Sequence, residues 1–149
     1  MFVIRQVATE DVTTLLKLAK MVHFINLPPD RDIIAAKVVR SRQSFGKQAR
    51  DPRERNFMFV LEDLGTGNVI GTSAILPCVS WPGHPHVYLE VSRKEFWSDD
   101  LQQGNTQVML TLGEDVSGPT EMGGLILAPG YRGHAEKLGG FLSMVRFHF

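Results

Sequence analysis

The sequence predicts an α+β protein in which a mixed, mostly antiparallel sheet is flanked by helices in three layers. Three observations carry this. A strand pattern at the start precedes two helical patterns. A run of mostly hairpin-linked strand patterns fills the middle. A strand–loop–helix unit ends the 149 residues. Strands grouped together, with helices on either side, favour a mixed or antiparallel sheet over a strictly alternating parallel one.

The elements follow in order. Phe2-Val3-Ile4-Arg5-Gln6-Val7 is apolar and rich in β-branched residues, so it reads as a first strand. Thr9 offers a helix N-cap, with Glu10 and Asp11 in the first turn where the helix dipole favours anions. Val12, Leu15, Leu16, Ala19 and Val22 recur at helical spacing, so a helix is expected from Thr9 to His23. Leu27-Pro28-Pro29-Asp30 breaks it, and Ile33, Ile34, Ala36, Val38 and Val39 predict a second helix reaching Ser44. Residues 48–56 are charged and carry Pro52, which indicates an exposed loop. Phe57 to Glu62 and Val69 to Ile75 read as strands joined by the turn residues Asp63-Leu64-Gly65-Thr66-Gly67-Asn68, a β-hairpin. A proline-rich loop spans 77–86. Val87 to Val91 predicts a further strand, Ser92 to Asn105 is ambiguous, and Thr106 to Leu112 alternates like a strand. Gly113 to Thr120 turns, Glu121 to Leu127 is the next strand, and Pro129-Gly130 ends it. Leu138, Phe141, Leu142, Val145 and Phe149 make an amphipathic helix of Lys137 to Phe149.

Composition excludes several classes of function. Sixteen basic residues balance 16 acidic ones, so no basic excess serves a nucleic-acid backbone or an anionic membrane. The single cysteine, Cys78, excludes an internal disulfide framework and favours a reducing compartment. No apolar run approaches the roughly 18 residues of a membrane span, and the start lacks the pattern of a signal peptide. The expectation is a soluble, cytoplasmic protein. Cys78, His84 and His86 sit around a proline loop and form no closed set of four ligands, so no metal is expected.

The loop between the last strand and helix concentrates glycines and basic residues at a helix start. Unpaired backbone N–H groups and the positive end of a dipole gather there, and glycine lets that backbone approach an anion. Arg132, Gly133, His134, Lys137, Gly139 and Gly140 are the candidate anion-binding residues, with Gly124 and Leu125 on the preceding strand. The alternative is a plain strand-to-helix connection, in which Gly139-Gly140 permits close packing. Gly123-Gly124 marks either a bulge or a packing site. Glu121, Asp115 and Glu90 are the carboxylates placed near this unit in sequence.

The element order resembles the GNAT acyltransferase fold. The sequence further resembles one branch of it, the arginine N-succinyltransferase family. The resemblance is carried by Val3-Ile4-Arg5 with Asp11, by Leu15-Leu16-Lys17-Leu18-Ala19, and by Leu27-Pro28-Pro29-Asp30-Arg31. It continues in Phe59-Val60-Leu61-Glu62-Asp63 and in Thr66-Gly67-Asn68-Val69-Ile70-Gly71-Thr72-Ser73. It ends in Ser117-Gly118-Pro119-Thr120-Glu121, Tyr131-Arg132, Leu142-Ser143 and Arg146-Phe147. The loop from Tyr131 to Ser143 is longer than the family pattern.

The resemblance implies transfer of a succinyl group from succinyl-CoA to the α-amine of L-arginine, in arginine catabolism. It places the CoA pyrophosphate in the loop, with Gly124, Leu125, Arg132, Gly133, His134, Lys137, Gly139 and Gly140 as cofactor-binding residues. Glu121 would be the base or amine-positioning residue, and Asp115 and Glu90 would bind substrate. Family members are more than twice this length, so the 149 residues are expected to form a single amino-terminal domain that stops after the CoA-loop helix. The expected partners are a small amino-acid substrate and either an oligomer, homo- or hetero-, or a missing carboxy-terminal half. A GNAT enzyme for another amine and acyl donor is the enzymatic alternative, and a structural or regulatory GNAT-like domain is the non-catalytic one.

Overall fold

The computed structural model describes residues 1–22 and 27–149; His23, the expected end of the first helix, lies outside them. The elements are β1 (Phe2–Gln6), α1 (Val12–Lys20), α2 (Arg31–Phe45), β2 (Phe57–Asp63), β3 (Asn68–Leu76), β4 (His86–Ser98), β5 (Gln103–Asp115), β6 (Glu121–Leu127) and α3 (Leu138–His148). They divide into two compact units, Met1–Cys78 with Thr120–Phe149, and Val79–Pro119.

The first unit holds a four-stranded sheet in the order β1-β2-β3-β6, with every neighbouring pair antiparallel. The central strands β2 and β3 are nearly continuous buried runs because both of their faces are covered. On one face Leu15, Leu18, Ile34 and Val38 of α1 and α2 pack with Met58, Val60 and Ile126. On the other, Leu138 and Leu142 of α3 pack with Leu61 and Ile70. The three layers agree with the fold expected from the sequence. Gly71 permits the second layer: a Cβ there would lie 2.8 Å from both Leu142 Cδ2 and the Ile126 carbonyl oxygen.

Local chemistry fixes the ends of the elements. Asp30 caps α2, its Oδ1 accepting from the N–H groups of Asp32 and Ile33 at 2.9 and 3.0 Å. The expected cap at Thr9 is corrected. Thr9 lies inside a 3-10 turn of residues 9–11, and its hydroxyl oxygen accepts from Arg42 Nη1 instead. Asp11 organises this corner. It is buried, accepts from the Ala8 N–H at 2.7 Å and takes both terminal nitrogens of Arg5 at 2.8 and 2.9 Å. Arg5 also donates Nε to Glu62 at 2.6 Å. The guanidinium is therefore held firmly in its charged form, first by the Asp11 hydrogen bonds. The expected exposed loop of 48–56 contains a 3-10 turn, and its last residue, Asn56, is buried.

The second unit is a two-stranded ribbon. β4 and β5 pair without a break from His86↔Asp115 to Ser98↔Gln103. The expected strands, 87–91 and 106–112, are thus extended through residues that sequence left ambiguous. Two strands with neither face covered show no apolar periodicity along their whole length, so their ends were not legible. At the base, the Val79 N–H donates to the Pro119 carbonyl at 3.1 Å, and the His84 ring stacks on Trp81 at 4.6 Å.

Candidate functional site

The unit formed by β6, its loop and α3 contains a cleft of about 740 Å³. β6 ends at Leu127, a 3-10 turn covers Pro129–Tyr131, and α3 begins at Leu138. Lys137 stands at the junction in the left-handed conformation, φ +50°, and its carbonyl accepts the helical bond from the Phe141 N–H at 3.0 Å. The amides of Leu138, Gly139 and Gly140 precede that bond, where helix geometry supplies no backbone acceptor. Leu138, Gly139 and Gly140 line the cleft together with Arg132 and Lys137, so a helix start and two cationic residues border the same space.

Seven of the eight expected cofactor residues line this cleft: Leu125, Arg132, Gly133, His134, Lys137, Gly139 and Gly140. Their glycines are not there for tight packing. A Cβ on Gly133 or Gly140 would meet nothing within 4 Å, and one on Gly139 would make an ordinary contact with Leu127. Only Gly133 needs its lack of a side chain for backbone reasons, with φ +75°. Gly139 and Gly140 thus have room beside them and line the cleft. Arg132 donates Nε to the Leu127 carbonyl at 3.2 Å, which turns its guanidinium along the strand end. His134 accepts at Nδ1 from the Glu136 N–H at 3.2 Å and packs edge-on against Phe2.

Gly124 faces elsewhere. Opposite Ser73, β6 holds two residues, Gly124 and Leu125, because pairing runs Thr72↔Ile126 and then Ala74↔Gly123. This is the bulge, and Gly124 takes φ +62° in it. The bulge splits two neighbours: Leu125 lines the cleft, while Gly124 lines a cavity of about 10 Å³ with Lys37, Asn56, Met58 and Thr72. That volume suits one water molecule. Asn56 Oδ1 is buried and has no hydrogen-bond partner among the described residues. Ser73, at the centre of the bulge, donates its hydroxyl to the Leu142 carbonyl at 3.2 Å and ties the distorted strand to α3.

Glu121 opens β6 opposite Leu76, half-buried. Its carboxylate acts on Lys37 of α2, favouring the charged ammonium, but burial of Lys37 outweighs this and lowers the amine below its ordinary value. Lys37 and Asn56 were not singled out by sequence. Lys37 reads as one more helix-surface lysine and Asn56 as loop, and only the tertiary fold brings them beside Gly124.

Asp115 and Glu90 belong to the ribbon. Asp115 ends β5, and its Oδ1 accepts from the Ser117 N–H at 2.8 Å. Hydrogen bonding from Ser117 chiefly, with His86 nearby, holds its carboxyl below the usual range. Glu90 is exposed and paired across the ribbon with Thr111.

A residue outside the expected set shapes the cleft floor. The Tyr131 hydroxyl donates to Asp63 Oδ2 at 3.0 Å, joining the loop before α3 to the β2–β3 turn. The tie raises the Tyr131 phenol above its ordinary value, the Asp63 hydrogen bond being the largest cause. Asp63 is lowered, first by the Gly65 N–H and then, among its donors, by Tyr131 and Thr66.

Comparison with known proteins gives the chain its relatives. Arginine N-succinyltransferase of Yersinia pestis (strain Pestoides F) is 32% identical, aligned over all of this chain and 42% of its own length. That of Shigella boydii serotype 18 is 34% identical, over all of this chain and 43% of its own length. The chain thus spans less than half the length of these relatives. The solved arginine/ornithine succinyltransferase subunit AI of Pseudomonas aeruginosa superposes with a TM-score of 0.80 at 23% identity, over 98% of this chain and 44% of that one. Its likeness establishes a shared fold. The profile of the arginine N-succinyltransferase beta subunit family matches residues 2–149, cleft, bulge and ribbon included, and the chain belongs to that family.

Proposed function

We propose that the cleft at the start of α3 seats the pyrophosphate of succinyl-CoA and that the chain serves succinyl transfer to the α-amine of L-arginine. The observation that carries this reading is that Arg132, Lys137 and the first residues of α3 line one cleft, with open space beside Gly133 and Gly140. An acyl-CoA is the coarser expectation, and membership of the arginine N-succinyltransferase beta subunit family supports succinyl as the acyl group. Leu125 lines the cleft where β6 departs from its ladder, and its backbone N–H is assigned to the oxygen that gains charge as the thioester is attacked. The substrate amine arrives as an ammonium and must lose a proton before it attacks. Glu121 is the acceptor in this reading, with Lys37 within its electrostatic reach. Asp115 and Glu90 are assigned to the guanidinium, which prefers carboxylate partners.

Titration calorimetry of succinyl-CoA tests the reading. Saturable binding is expected, and Arg132→Ala or Lys137→Ala should each weaken it about tenfold or more, the loss of one charge-assisted hydrogen bond of about 1.5–3 kcal/mol. Glu121→Gln should bind as before and lose arginine-dependent release of the CoA thiol. Absence of binding sinks the reading.

A further inference from the structure

We infer that the β4–β5 ribbon is a self-association surface, on which a second copy of this chain packs face to face in antiparallel sense. The register divides the ribbon's side chains into two faces. One is mixed, carrying Glu90, Ser92 and Lys94 with their partners Thr111, Met109 and Gln107, and Tyr88 and Phe96 at either end. The other presents two all-aliphatic rungs, Leu89↔Leu112 and Val91↔Leu110, flanked by Val87, opposite Glu114, and by Val108, opposite Arg93. All six are between 53% and 68% exposed. A ribbon of two strands is marginal alone and gains stability when an apolar face is covered.

Charge selects the occupant. The aliphatic block is bounded by Glu114, opposite Val87, and by Arg93, opposite Val108. Neither has an ion-pair partner among the described residues. The signs are opposite and the two rungs are equidistant from the middle of the block, about 10 Å to either side. A two-fold axis across the strands at that middle lays Arg93 of one copy over the rung that carries Glu114 of the other, at both ends at once. Stacking in the parallel sense would set Arg93 against Arg93 and Glu114 against Glu114. A two-fold interface must be self-complementary, and the apolar block, with Glu114 at one end and Arg93, followed on the same face by Glu95, at the other, meets that requirement best in the antiparallel sense. The patch lies below the standard size of stable interfaces, so association in the micromolar range is expected.

Charge-reversed variants test this. Sedimentation velocity of the wild-type chain, from about 1 to 200 μM to span that range, should show a monomer–dimer equilibrium. Arg93→Glu places Glu against Glu114, and Glu114→Arg places Arg against Arg93, so each variant alone should be monomeric or at least tenfold weaker. Mixed one to one they should associate as well as wild type or better, because every contact in the mixed pair is again Arg with Glu. Circular dichroism confirms that each variant is folded. A wild-type monomer at every concentration, single variants that dimerise unchanged, or a mixture that fails to associate would each overturn the proposal.

Discussion

At the level of single residues, the clearest electrostatic device is the Tyr131–Asp63 hydrogen bond beneath the cleft. Asp63 has its pKa depressed below 3.8, so its contribution to stability is present above that pH and fades as pH falls through the folded value. Tyr131 is raised above 10, so its contribution is present below pH 10 and is lost as pH rises through the folded value. The chain has two tyrosines, and Tyr88→Phe leaves Tyr131 as the single phenol. Absorbance at the phenolate band should then show it ionising above the ordinary range. Asp63→Ala should return it towards about 10; an unchanged titration removes Asp63 as the cause. Residues of this kind explain what a sequence can show of a site. Arg132, Lys137, Gly139 and Gly140 were legible because the chemistry is local, packed into one helix start. Tyr131 with Asp63, and Lys37 with Glu121, were not, because their partners come from distant segments.

The elements show a related limit. α2 was legible from its buried Ile34 and Val38, yet two further buried positions on it are serines. Ser41 Oγ accepts from the Met58 N–H at 2.8 Å, and Ser44 Oγ accepts from the Asn56 N–H at 3.0 Å. The helix thus supplies acceptors at the entry to β2, where Asn56 borders the small cavity next to Gly124. Hydropathy treats such serines as surface, so their role cannot be read from periodicity. Ser41→Ala leaves a buried N–H without its partner, which costs about 1–3 kcal/mol. A matching fall in the midpoint of urea unfolding is expected, with the slope unchanged. A loss under about 0.3 kcal/mol would mean that the Met58 amide finds another acceptor. The bulge in β6 was partly legible from Gly123-Gly124, since paired glycines in a strand mark either a bulge or close packing. The register settles the choice, and the Ser73 link to Leu142 explains why the bulge and the start of α3 hold together.

For the whole molecule, the fold class was legible because apolar periodicity reports burial, and the sheet with its three helices is well buried. The division into two units was not, because the ribbon's boundaries are set by pairing rather than by burial. The topology gives this division a consequence. β3 and β6 are antiparallel neighbours that pair to the rung Leu76↔Glu121, and the Thr120 hydroxyl donates to the Pro77 carbonyl at 3.0 Å. They form a hairpin whose connection has been replaced by the 41 residues Val79–Pro119. Among the described residues, the four-strand ladder and the two core clusters contain none of 79–119. Excising 79–119 and joining Cys78 to Thr120 through Asn-Gly gives a short hairpin loop of a common length. The shortened chain should fold cooperatively, keep the Tyr131 phenol raised and bind succinyl-CoA within a few-fold of the intact chain. It should also lose concentration-dependent association and, with Asp115 and Glu90 gone, any response of binding to L-arginine. An excised chain that fails to unfold cooperatively would show that the ribbon supports the sheet. One that folds and still associates would move the interface elsewhere on the molecule. The outcome separates the cofactor contacts proposed for β6 and α3 from the substrate carboxylates and self-association proposed for the ribbon.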